Sequence, residues 1–189
     1  MSLAAAPKNE PYFPLAGLAD DGWSNDTEAT ATCYCGKVQM KFPHEAPGLV
    51  DTFACSCSDC KSFSATSFAT NFVALDSHTS FVRGEELLTE FSQSKTIGSG
   101  GWMKQHFCKV CGTLMFRTGE VAPGVRIMRV GTVDDHMLAQ TKLAPRIEQY
   151  TKDKFSWIGP LDTEIKCEAS MDFGAVLGKT DRWAPKAKA

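Results

Sequence analysis

Seven of the eight cysteines fall into three tight groups: Cys33-Tyr34-Cys35-Gly36, Cys55-Ser56-Cys57-Ser58-Asp59-Cys60 and Cys108-Lys109-Val110-Cys111-Gly112. Partners two or three residues apart are awkward for disulfide geometry and natural for chelation. The opening residues show no charged stretch followed by an apolar run, so a secretory, oxidising route is not expected and the chain reads as cytoplasmic. Seven thiolates complete one tetrahedral zinc site of four and leave a second of three, whose vacant position is what a catalytic zinc requires. The expectation is two zinc ions per chain.

The groups differ in ways that bear on role. In Cys108-x-x-Cys111-Gly112 the glycine is placed to take a positive φ and turn backbone amides toward the thiolates, as in a zinc knuckle. Cys33-x-Cys35-Gly36 is a tighter relative. Paired, these two form a closed site of four, and because they lie more than seventy residues apart, a shared ion would tie distant segments together. Cys55-x-Cys57-x-x-Cys60 lacks the glycine and offers three ligands from one compact loop, with the fourth position left to water or substrate unless His106 or Cys167 closes it.

Between the cysteines, the chain is punctuated by glycine and proline. Residues 37–42 alternate polar and apolar, the period of a strand with one wet and one buried face. Further strands are expected at 49–55, 68–75, 79–83, 87–91, 113–117 and 125–131, rich in Val, Ile, Phe and Thr, with short helical turns at 58–64 and 133–138. The fold class expected is mainly β, built of short antiparallel strands stapled by metal. Residues 1–28 read as an N-terminal extension draped over the core through Tyr12, Phe13 and Trp23. Residues 29–170 read as the zinc-binding domain, and 171–189 as a C-terminal tail. A net charge of −2 gives no reason to expect a nucleic-acid partner, and no stretch is apolar enough to span a membrane.

Zinc bearing three thiolates has a formal charge of −1, a weaker Lewis acid than zinc on neutral histidines. Its natural task is to bind a small thiol, lower the thiol pKa and present the sulfur to an electrophile, or to run the reverse cleavage of a carbon–sulfur bond. Lys61 is a candidate partner for a substrate carboxylate, and Ser64 and Ser67 are candidate hydrogen-bond donors.

The order Cys-x-Cys-Gly-x-Val, Cys-x-Cys-x-x-Cys with Asp before its last cysteine, Phe-Cys-x-x-Cys-Gly-Thr and a late Pro-x-Ile-x-x-Tyr segment resembles the glutathione-dependent formaldehyde-activating enzyme family, which also includes centromere protein V. The resemblance runs from about Thr30 to Trp157. It implies a β-tent fold, a structural zinc on Cys33, Cys35, Cys108 and Cys111, and a catalytic zinc on Cys55, Cys57 and Cys60. The activity implied is a carbon–sulfur lyase run in reverse, joining glutathione to formaldehyde as S-(hydroxymethyl)glutathione. Two positions depart from the family pattern: Ser56 stands where members often carry histidine, and Ser64 lies in a loop where glycine is common. Both leave the zinc ligands intact and leave a related thiol adduct open as substrate. The competing class is a binding module in which both zincs are scaffolding.

Overall fold

The computed structural model describes residues 2–182; the end of the expected C-terminal tail, 183–189, lies outside the described residues. Among the described residues eleven strands form two sheets. The smaller is antiparallel, with β2 (Gln39–Pro43) between β1 (Glu28–Thr32) and β5 (Ser80–Arg83). The larger also contains β3 (Leu49–Cys55), β4 (Ala69–Leu75), β6 (Leu88–Gln93), β7 (Met103–Cys108), β8 (Leu114–Gly119), β9 (Val125–Arg129), β10 (Ile147–Gln149) and β11 (Ile165–Cys167), in the order β11-β10-β3-β4-β9-β8-β7-β6. Three short helices complete the fold: α1 (Ser58–Ser64), α2 (His136–Gln140) and α3 (Phe173–Val176).

The fold is mainly β, as the glycine- and proline-punctuated pattern predicts, and antiparallel except at one edge. There β10 runs parallel to both β3 and β11. Such pairing joins segments far apart in sequence and leaves no hairpin turn for a sequence reading to find. The strand at 49–55 and the helix at 58–64 fall where the pattern puts them. Strand β7, Met-Lys-Gln-His-Phe-Cys, is not among the expected strands; its polar residues are held by register to β6 and β8 on either side. The alternation at 37–42 holds in part: Val38, Met40 and Phe42 are buried and Lys41 is half-exposed, but Gln39 is buried too. Its amide donates to the Thr32 hydroxyl and to Asp21.

The large sheet has a core on each face. On one, Met40 and Phe42 from the small sheet meet Phe72, Ala74 and Met128, and the Phe42 and Phe72 rings lie 4.6 Å apart. A phenylalanine buried this fully contributes about 1.5–3 kcal/mol. On the other, Phe53, Val73, Ile127 and Ile147 form a second core that the C-terminal segment covers with Met171. Period two divides one strand between both: Phe72 and Ala74 of β4 face the first core and Val73 the second. Ahead of β1, the extension is tied down mainly by polar contacts. The Tyr12 amide donates to Asp135, the Leu18 amide to the Tyr34 carbonyl, and Asp21 accepts a forked pair of bonds from Arg83, while Phe13 remains 43% exposed.

Candidate metal centres

Cys33, Cys35, Cys108 and Cys111 converge, with every pair of sulfurs within 4.8 Å. Cys35 Sγ lies 3.5 Å from Cys33 Sγ and 3.8 Å from Cys108 Sγ. Four sulfurs at the zinc–thiolate distance of about 2.3 Å would be about 3.8 Å apart, so this donor set fits a tetrahedral ion. The two turns that present them are alike. Gly36 and Gly112 take φ values of 75° and 74°, their amides closing back onto the Cys33 and Cys108 carbonyls. The Val38 amide donates to Cys33 Sγ at 3.2 Å, and Cys111 Sγ lies 3.3 Å from the Thr113 hydroxyl. Burial pushes the Cys33 thiol up to about 12. Burial acts the same way on Cys111, but hydrogen bonds from Thr113 and Cys35 outweigh it and hold that thiol near 6. Cys33 and Cys108 belong to the core between the sheets and Cys35 and Cys111 are half-buried against it, so an ion here would sit at the edge of that core.

The second cluster has three members, Cys55, Cys57 and Cys60, with sulfurs again within 4.8 Å of one another. Strand β3 ends at Cys55, the chain turns through the buried Ser56, and α1 begins with Cys57 as its N-cap, whose sulfur accepts from the Cys60 amide at 3.4 Å. A β-strand running into a helix thus brings the three sulfurs together over six residues. The neighbouring Cys57 and Cys60 side chains, with burial behind them, push the Cys55 thiol far up. Cys60 is held well below the usual thiol range, chiefly by Cys55 and Cys57, with the Arg117 and Arg129 guanidiniums pulling the same way. Three closely packed thiols of which one is strongly acidified form a donor set suited to a thiophilic cation.

Among the described residues no histidine, carboxylate or further cysteine joins this cluster. Register explains why Cys167 does not. It sits in the row Cys167, Gln149, Cys55 across β11, β10 and β3, two strand spacings or about 10 Å from Cys55. His106 stacks on Phe116 with centroids 4.4 Å apart and bonds to the Thr118 hydroxyl, away from either cluster.

The three cysteines line a cavity of about 820 Å³, within the ~300–1,000 Å³ range of small-molecule sites. Ile97, Trp102, Val121 and Ile127 give it apolar walls, and Ser170–Gly174 close it from the C-terminal side. Lys61, Ser64 and Ser67 are not among its lining residues. The Lys61 ammonium donates to the Asp153 carbonyl and lies 4.3 Å from the Phe155 ring centre, while the Ser64 hydroxyl is buried without a partner. Instead, the polar groups that sequence reasoning missed come from other strands: Gln105, Arg117 and Gln149 in the lining, with Asn71 and Arg129 nearby in the sheet. Only cross-strand register brings them together, and no local spacing announces it.

Among curated proteins none matches the chain significantly. A crystal structure of a Rhodobacter sphaeroides protein is similar, at 22% identity over 73% of this chain and 98% of that chain, with a TM-score of 0.44. The model of the family described as glutathione-dependent formaldehyde-activating enzyme matches residues 28–153, two thirds of the sequence and a span that holds all three cysteine groups, and the chain belongs to that family.

Proposed function

We propose that the protein is a zinc-dependent enzyme of the carbon–sulfur lyase type acting on a small thiol adduct, with S-(hydroxymethyl)glutathione, formed from glutathione and formaldehyde, as the leading case. One observation carries this reading: the three-cysteine cluster, one donor short of a tetrahedral set, lines the large cavity, whereas the other cluster has four cysteines. An incomplete ligand set on a ligand-sized cavity has little purely structural rationale. In this reading Cys33, Cys35, Cys108 and Cys111 hold a structural zinc, and Cys55, Cys57 and Cys60 hold the catalytic one. The domain of residues 29–170 carries the chemistry, in a reducing, cytoplasmic setting that keeps the thiolates free. Residues 171–174, from the expected tail, complete the cavity wall.

Bound at the three cysteines, zinc would supply a centre that receives a thiol and lowers its pKa. The chain's own part is positioning. Ile97, Trp102 and Val121 keep bulk water from the reacting carbon, and the Ser58, Thr96 and Ser99 hydroxyls with the Asp59 and Asp153 side chains offer polar partners for a peptide-like thiol. In the forward reaction, sulfur forms the new bond to the carbonyl carbon, the carbonyl π pair moves to oxygen, and the proton leaving sulfur ends on that oxygen. The reverse breaks the carbon–sulfur bond.

Titration of the zinc-loaded protein with glutathione by calorimetry, followed by assay of adduct formation with formaldehyde, tests this. Heat of binding and acceleration over the spontaneous reaction are expected. Binding without turnover would point to another electrophile, and absence of both would point to a zinc-stabilised binding module.

A further inference from the structure

Arg129 is 6% exposed, and among the described residues no carboxylate pairs with it. Its Nη1 donates to the Asn71 side-chain oxygen at 2.5 Å and its Nη2 to that of Gln105 at 3.2 Å, both neutral amides, while its buried Nε has no partner. Arg117 lies on β8, opposite Gln105 on one side and Ile127 on the other. Its Nη1 meets only the Met103 sulfur, and its Nε is buried without a partner as well. Among the described residues neither guanidinium forms an ion pair, although eight other lysines and arginines do. Burying an arginine without a counter-charge costs several kcal/mol, so an anion is expected within reach.

The three-cysteine cluster is that anion. Arg117 shares the cavity lining with Cys55, Cys57 and Cys60. Arg129 pairs with Asn71, which lies on the same face of β4 as Ala69, the partner of Cys55, one pleat repeat away. Burial lowers the Arg129 guanidinium, and the charge and hydrogen bonding of Cys60 push back against that. Counting the metal centre and these two side chains alone, a zinc with three thiolates would carry −1 and the guanidiniums +2, an excess of one positive charge at the sulfurs; Asp59, Asp153 and Asp172 also line the cavity.

We propose that Arg117 and Arg129 are positioning residues that balance the trithiolate centre and make its open position select an anionic sulfur, a thiolate, over a neutral ligand of similar size. The proposal rests on the reading of the central cluster as a metal centre, and it reverses the simple expectation that a trithiolate zinc repels a fourth anion. One incoming thiolate neutralises the metal centre together with its two guanidiniums, which a buried cluster favours.

Cobalt(II) in place of zinc gives a spectroscopic test in the full-length protein, with sulfur-to-metal charge-transfer bands reporting each ligand. The probes are 2-mercaptoethanol, whose only ionisable group is its sulfur, and imidazole, a neutral ligand. In Arg117→Met the thiol affinity should fall at least about ten-fold, the scale expected for removing one nearby charge from a partly dry site, with imidazole affinity unchanged or higher. Arg129→Lys should keep the wild-type preference, and Arg129→Met should lose it. If Arg129→Met does not fold, Arg117→Met decides, because its guanidinium is held only by the Met103 sulfur. Equal affinity for 2-mercaptoethanol in Arg117→Met and wild type, or parallel loss of both probes, would overturn the inference while leaving the metal reading in place. A wild-type protein that takes up only one cobalt ion would overturn the metal reading and this inference with it.

Discussion

Cys57 has two tasks, and they separate on substitution. Its sulfur is one of the three convergent thiols and also caps α1 by accepting from the Cys60 amide. Serine is a good N-cap, so Cys57→Ser should keep the start of α1 while removing a metal ligand. Activity should be abolished with the unfolding temperature nearly unchanged, as measured by turnover and a thermal melt. Cys108→Ser should behave in the opposite way. That residue is wholly buried in the main core, among sulfurs brought together from segments more than seventy residues apart. Its loss should cost well above the ~1 kcal/mol of an ordinary point change, seen as a large drop in denaturation midpoint together with loss of one zinc. The cysteines of the two clusters were legible because their spacing within each group is local. Arg117 and Arg129 were not, because they reach the cluster through the registers of β7 with β8, β8 with β9 and β9 with β4. Lys61, Ser64 and Ser67 are close to Cys60 in sequence but do not line the cavity. Helix α1 turns Lys61 about 100° from Cys60, toward the Asp153 carbonyl; Ser64 lies about one turn farther along with its hydroxyl buried, and Ser67 lies past the helix end.

At the level of elements, the C-terminal segment is held by one buried ion pair. Asp51 of β3 is wholly buried and Arg146, just before β10, is 3% exposed; they join through a forked pair of bonds at 2.9 and 2.6 Å. The same two side chains also reach past α3, with Arg146 donating to the Val176 carbonyl and Asp51 accepting from the Gly178 amide. Met171 is fixed separately, its amide donating to the Gln149 side chain. Asp51→Ala would leave Arg146 buried with only the exposed Glu164 carboxylate at 3.6 Å as counter-charge, a loss of up to about 3–5 kcal/mol. It should also free the segment that supplies Ser170–Gly174 to the cavity wall. Chemical denaturation should show the loss, and limited proteolysis should cut between 165 and 178 in the variant before the wild type. Strand β3 and helix α1 were readable from apolar runs and a helix start next to the cysteines. Strands β10 and β11 were not, since three residues with one or two apolar positions carry no period, and their parallel pairing has no turn to mark it.

For the whole molecule, the sheet separates the two candidate centres. The four-cysteine cluster is part of the core between the sheets and the three-cysteine cluster part of the core on the far face, so ion loss at one should leave the other in place. The central position is also the more accessible one, because it lacks a fourth cysteine and opens on the cavity, whereas the other cluster has four; in burial the two are alike, with Cys55 and Cys33 each 2% exposed. A chelator should therefore act in two stages. The first zinc should leave quickly from Cys55, Cys57 and Cys60 and take the activity with it, with little change in far-ultraviolet circular dichroism or melting temperature. The second should leave slowly and in step with unfolding, since it links the two glycine-ended turns. Acid should reproduce the order, because ligands bind zinc as thiolates and protons compete with the metal as pH falls. At the inner site burial pushes the Cys33 thiol up to about 12, so once the zinc leaves, that sulfur takes a proton at neutral pH. Zinc release followed with a chromogenic chelator alongside a melt at each stage tests this. Simultaneous loss of both ions, or unfolding on removal of the first, would show that the two centres are one structural unit.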